Sequence, residues 1–141
     1  MYLIDTNVIS EARKGRLANI GVQTFFQSVT NPHTPVYLSV MSIGELRRGL
    51  EKIRYRGDRK QAVELEKWVK KVLTHYQDYI LDFDDEAAQV WGHLRVPNSE
   101  HALDKQIAAT ALVYDLTVVT RNTKDFKTCG VKLYNPFTTK K

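Results

Sequence analysis

The sequence predicts an α/β domain built on a mostly parallel sheet, and three observations carry that expectation. Short apolar segments rich in β-branched residues occupy 2–5, 36–40 and 117–120, each of strand length. The stretches between them repeat apolar residues at helical spacing rather than turning back through hairpins. No Pro-, Gly- or Ser-rich linker, low-complexity tract or internal repeat divides the 141 residues, so one domain over 1–141 is expected.

In chain order, Tyr2-Leu3-Ile4-Asp5 reads as a buried strand and 18–29 as a helix. Val36 to Val40 forms the second strand, followed by the stripe Ile43, Leu46, Leu50 and Ile53. Asp58 is a candidate N-cap for a helix carrying Leu65, Trp68, Val69, Val72, Leu73 and Tyr76. Weaker strands are expected at 79–81 and 131–134, the latter closed by Asn135-Pro136, and a helix at 84–95. Ile107, Ala108, Ala111 and Leu112 mark a further helix before the 117–120 strand.

Composition narrows the class. Cys129 is the sole cysteine, which excludes an internal disulfide and fits a reducing, cytoplasmic compartment. No apolar run approaches the ~20 residues that span a bilayer, and Met1 leads into Tyr2-Leu3-Ile4 without a basic leader. The net charge of +5 favours polyanionic partners, although many ordinary proteins carry such an excess.

In open parallel sheets, ligands bind beyond the carboxyl ends of the strands, and acids stand at those positions here. Asp5 ends the first strand, where an N-cap role is equally natural. Glu45 completes Ser42-Ile43-Gly44-Glu45, a capping-box pattern directly after the second strand. Asp104 lies in the middle of its helix's apolar stripe, where an uncompensated carboxylate costs several kcal/mol. Thr120-Arg121-Asn122-Thr123-Lys124-Asp125 follows the 117–120 strand. Converging on one rim, these acids make an oxygen-rich site suited to Mg²⁺ or Mn²⁺. The four histidines, scattered in sequence, read as surface or packing residues, and Trp68 and Trp91 as core. Residues 47 to 60 hold seven bases against two acids. Arg47 and Arg48, nearest Glu45, are candidate RNA-binding residues tracking phosphate, although a charge run is usually a solvated face.

Leu-Ile-Asp-Thr-Asn-Val-Ile-Ser at 3–10, Ser-x-x-Glu-Leu at 42–46, Asp-x-x-Ile-Ala-Ala-Thr-Ala at 104–111 and Val-Thr-Arg-Asn-x-x-Asp-Phe at 119–126 resemble the PIN-domain ribonucleases. More narrowly, the four motifs in this order resemble VapC-type toxins of bacterial toxin–antitoxin pairs. The resemblance implies a three-layer α/β/α domain with a five-stranded, mostly parallel sheet, and a metal-dependent endoribonuclease that hydrolyses RNA with metal-activated water. It also implies inhibition by a cognate VapB-type DNA-binding antitoxin, and a homodimer or toxin–antitoxin hetero-oligomer. Carried over residue by residue, Asp5, Glu45 and Asp104 are the acidic catalytic and metal residues. Either Asn122, where many relatives have Asp, or Asp125 completes the site. Thr6 and Thr120 are expected to orient carboxylates through their hydroxyls. The neutral Asn122 keeps open a catalytically weak or inactive nucleic-acid- or partner-binding module on the same fold. A haloacid-dehalogenase-like phosphatase would need a second Asp where this chain has Asn7.

Overall fold

In the computed structural model, which describes residues 1–30 and 33–139, five strands form one parallel sheet in the order β3-β2-β1-β4-β5. The strands are β1 (Tyr2–Ile4), β2 (Val36–Ser39), β3 (Ile80–Leu81), β4 (Thr117–Val119) and β5 (Leu133–Tyr134). Seven α-helices accompany them among the described residues. They are α1 (Thr6–Ala12), α2 (Ile20–Thr30), α3 (Val40–Tyr55), α4 (Arg59–His75), α5 (Asp85–Leu94), α6 (Ala102–Tyr114) and α7 (Thr123–Phe126).

Strand alternation sorts the core into two layers. Ile4, Leu38 and Val119 pack with Val8, Val22, Phe25, Leu46, Leu50, Val69 and Val72 on the face covered by α1 to α4. Their strand neighbours Leu3, Tyr37 and Val118 turn to the opposite face, against Ile107, Ala108, Ala111 and Phe126. A sheet buried on both faces explains why its strands read as continuous apolar runs, and the result is the expected three-layer α/β/α arrangement. The stripe on α6 is narrower than its sequence suggests: Ile107, Ala108 and Ala111 are buried, while Leu112 is exposed.

From β1 the chain first builds β2 and β3 on one side and then crosses to β4 and β5 on the other. The switch therefore falls between β1 and β4, where a crevice opens beyond the strand ends. The Asp5 amide extends that pairing by donating to the Val119 carbonyl at 2.9 Å. The C-terminal segment is tied down over the start of α2. Asn19 Oδ1 accepts from the Gly21 amide at 2.9 Å and from the Thr138 amide at 3.0 Å. Gly21 is required by this crossing, because a Cβ there would lie 1.9 Å from the Pro136 carbonyl oxygen. No helix among the described residues is long and apolar enough to cross a membrane.

Candidate metal and catalytic site

Asp5 is the hinge at which β1 becomes α1. Its backbone is extended and its Oδ1 accepts from the Thr6 amide at 2.8 Å, so the cap expected of this position is made. The other oxygen, Oδ2, accepts from Thr120 Oγ1 at 2.8 Å and from Asn7 Nδ2 at 3.2 Å. Only 4% of the residue is exposed. Burial pushes Asp5 above its ordinary carboxylate range; hydrogen bonds from Thr120, Thr6 and Asn7 oppose the rise, and the Glu45 carboxylate adds to it.

The two threonines orient Asp5 by different routes. Thr120 does so with its hydroxyl, which also accepts from the Asn122 amide at 3.0 Å and ties the loop after β4 to the site. Thr6 does so with its backbone amide, and its own hydroxyl is buried without a hydrogen-bond partner. The expectation of two orienting hydroxyls is thus corrected to one, because the amide at the first position of a helix is already aimed at the capping carboxylate.

Glu45 reaches the rim for a reason other than the capping box. Helix α3 starts at Val40 and its cap is Ser39, whose side chain accepts from the Met41 amide at 3.0 Å. Ser42 is fully buried inside the helix with its hydroxyl unpartnered, so Ser42 and Glu45 do not form the reciprocal cap. With no capping duty, Glu45 lines a groove with Thr6, Ser10 and Arg13 of α1 and with Trp68 of α4.

Asp104 stands in the first turn of α6, half-buried on the side that packs against the sheet. Burial, then the carboxylates of Asp5 and Asp125, push it up to about 6, with Glu45 adding to the rise and His101 opposing it. Asp125, in α7, is a further carboxylate close enough for its charge to act on Asp104. Asn122 precedes α7 without a side-chain cap bond, and its neutral amide side chain adds no charge. Asp5, Glu45, Asp104 and Asp125 thus come from four helices or their caps, and the charges of the other three are felt at Asp104, the closest ligand atoms being those of Asp104, Asp125 and His101. The four acids are a set of hard oxygen donors with uncompensated negative charge, which fits a divalent cation.

Sequence spacing missed two residues of this rim. Asn7 donates to Asp5 and accepts from the Arg121 amide at 3.1 Å, stitching α1 to the loop after β4. His101 lies with its Nε2 3.8 Å from Asp125 Oδ1. Its place three residues before Asp104, directly ahead of the helix, is the available signal. His101 is a surface histidine, as read from the sequence, but one that stands beside the acids. Trp91 keeps its structural role, donating from Nε1 to the Ala102 carbonyl at 2.9 Å and so joining α5 to α6.

The basic run divides. Arg47 is clasped by both oxygens of Glu66, at 3.0 and 2.9 Å, and reaches Glu51 at 3.2 Å. Arg54 shares the same two acids. These two bases bind α3 to α4 and their charge is compensated within the protein. Arg48 lines a shallow surface groove with Lys52, Tyr55 and Arg56.

A three-layer fold carrying four acids at the switch point of a parallel sheet defines the class of protein, and the comparison with known families agrees. The PIN domain family matches residues 2–131, and the chain belongs to it. Among individual relatives, the chain is 34% identical to toxin FitB of Neisseria gonorrhoeae, across 97% of this chain and 99% of that protein. It is 29% identical to the VapC ribonuclease Y4jK of Sinorhizobium fredii, across 97% of this chain and 98% of that one. Its fold superposes on the structure of FitAB bound to an IR36 DNA fragment with a TM-score of 0.83 at 31% identity, covering 100% of this chain and 99% of that one.

Proposed function

We propose that this chain is the toxin of a toxin–antitoxin pair, a divalent-metal-dependent endoribonuclease held in check by a cognate DNA-binding antitoxin. The observation that carries the proposal is the meeting of Asp5, Glu45, Asp104 and Asp125 at the carboxyl end of β1 and β4. The names of its relatives, a toxin and a ribonuclease, support the same reading.

Asp5, Glu45 and Asp104 are the residues proposed to hold Mg²⁺ or Mn²⁺, with Asp125 in preference to the neutral Asn122. The ion supplies a positive centre for the scissile phosphate and makes water more acidic. Asp5 contributes a carboxylate fixed in direction by Thr120, Asn7 and the Thr6 amide, so little reorganisation is needed on binding. Asp104, whose affinity for a proton is raised by burial and then by the neighbouring carboxylates, accepts a proton from water more readily than an ordinary exposed acid would. Water as the nucleophile leaves a 5′-phosphate and a 3′-hydroxyl. Arg48, one helical turn beyond Glu45, is proposed as a phosphate contact of the RNA, with Arg47 acting mainly through its hold on α4. Residues 1–141 act as a single domain, in a cytoplasmic homodimer or a hetero-oligomer with its antitoxin.

The experiment compares purified wild type with Asp5→Asn on total RNA in Mg²⁺, Mn²⁺ and EDTA. Cleavage that needs metal and is lost in Asp5→Asn, with 5′-phosphate ends on sequencing, is the expected outcome. Equal cleavage by both proteins, or 2′,3′-cyclic phosphate ends, defeats the proposal.

A further inference from the structure

We infer that His101 is a nitrogen ligand of the metal rim, forming with Asp104 and Asp125 a cation subsite that prefers a first-row transition ion such as Mn²⁺ to Mg²⁺. The inference rests on the reading of the rim as a divalent-cation site and deepens it.

One ligand atom from each of His101, Asp104 and Asp125 lies within 4.8 Å of the other two. They arrive from three directions: His101 from the loop before α6, Asp104 from the first turn of α6, and Asp125 from α7. The His101 Nε2 to Asp125 Oδ1 separation is 3.8 Å, longer than a hydrogen bond, which closes at roughly 2.7–3.2 Å. Two donors 3.8 Å apart subtend about 120° at an ion roughly 2.2 Å from each. That angle lies between the cis and trans positions of an octahedron, so small side-chain movements bring the donors to an ion.

His101 also has no competing duty. It occupies the cap position of α6 with a left-handed backbone, φ 54°, yet its side chain makes no capping bond. Its imidazole is half-exposed and directed to the acids. A fourth carboxylate at Asn122 is lacking, so the outer part of the rim carries two acids and one imidazole. Imidazole nitrogen favours Mn²⁺ and later transition ions, whereas Mg²⁺ holds to oxygen and water.

The experiment is electron spin-echo spectroscopy of Mn²⁺ added to the purified full chain, with Mn²⁺ and Mg²⁺ affinities measured by titration. The variants are His101→Asn, which tolerates the left-handed backbone, and His75→Asn as a control. His75 lines a separate pocket near the start of β2 with His33, Tyr76 and Tyr79. Nitrogen-14 modulation is expected in wild type and His75→Asn and is lost in His101→Asn. Mn²⁺ affinity in His101→Asn falls about tenfold while Mg²⁺ affinity changes less than about twofold. Circular dichroism confirms that the variant is folded. Bound Mn²⁺ without nitrogen modulation, or modulation that persists in His101→Asn, overturns the inference and leaves His101 as an ion-pair partner of Asp125. Metal- and Asp5-dependent RNA cleavage alongside that negative result defeats this inference alone. Nitrogen modulation from His101 in a protein that cuts no RNA sustains it and defeats the ribonuclease proposal. Failure of the chain to take up Mn²⁺ defeats both.

Discussion

Replacing Asp104 with Asn is expected to stabilise the metal-free protein, although it removes a candidate metal residue. The carboxyl of Asp104 is pushed from 3.8 up to about 6 by burial and by the acids around it. At about 1.4 kcal/mol per pH unit, that rise corresponds to ~3 kcal/mol for a fully buried group. Asp104 is partly open to solvent, and screening reduces the figure to about 1–2 kcal/mol. Between pH ~4 and ~6 the folded state holds this proton more tightly than the unfolded chain does. The favourable contribution is therefore fully present below the unfolded value of 3.8 and is lost as pH rises through about 6. Above that, the ionised carboxylate is a net cost in the absence of metal, and Asn, nearly isosteric and neutral, avoids it. In EDTA the difference in stability between Asp104→Asn and wild type grows from near zero at pH 4 to its full size by pH 7. It appears as a rise in Tm of about 3–8 °C in scanning calorimetry. Adding Mg²⁺ narrows or reverses the gap, because the ion binds the folded wild type more tightly than the variant. An Asn variant less stable than wild type at pH 7.5 in EDTA, or a difference that does not change with pH, would refute the account of Asp104 as a strained acid.

Four other substitutions probe different parts of the molecule. Thr120→Val removes the hydroxyl that donates to Asp5 and accepts from the Asn122 amide. It should cost ~1–3 kcal/mol in urea unfolding and slow RNA cleavage at least about tenfold; unchanged stability would show the network to be dispensable. Gly21→Ala places a methyl 1.9 Å from the Pro136 carbonyl oxygen, so the C-terminal segment must move. A loss of ~1–3 kcal/mol is expected, with earlier proteolysis of residues after 135, and a variant as stable as wild type would mean the crossing is not held. Arg48→Glu should weaken RNA binding and lower its salt slope by about 1, whereas Arg47→Ala should chiefly lower thermal stability by leaving Arg54 alone to hold Glu66 across the α3–α4 contact. Equal effects of the two on binding would reassign the track.

Much of the fold could be read from local pattern. The strand segments at 2–5, 36–40 and 117–120 lie within one residue of β1, β2 and β4. This follows from a parallel sheet buried on both faces, which demands unbroken apolar runs that are visible without knowledge of partners. Asp58 caps α4 through the Gln61 amide at 3.1 Å, again a contact within four residues. Errors arose where one local pattern had two solutions. Ser42 and Glu45 satisfy the capping-box spacing, but Ser39, at the end of β2, takes the cap first and places Ser42 in the core. Leu112 continues an apolar stripe in sequence yet lies beyond the edge of the packed layer.

For the site, Asp104 was conspicuous because a carboxylate amid apolar neighbours on a helix demands compensation wherever it is placed, and that demand is local. Asp5 announced itself as a strand-terminating acid. The approach of Asp125 to Asp104, the service of Thr6 through its amide and the arrival of Asn7 and His101 beside the acids all depend on how α1, α6 and α7 are set against β1 and β4. So does the diversion of Arg47 to Glu66, nineteen residues away. Hydrophobic periodicity specifies which face of each element turns inward, because burial depends on the residue's own element. It carries no information about which polar side chains meet across the crevice. Those meetings come from packing angles and the order of strands, which place residues more than a hundred positions apart, such as Asp5 and Thr120, in hydrogen-bond contact.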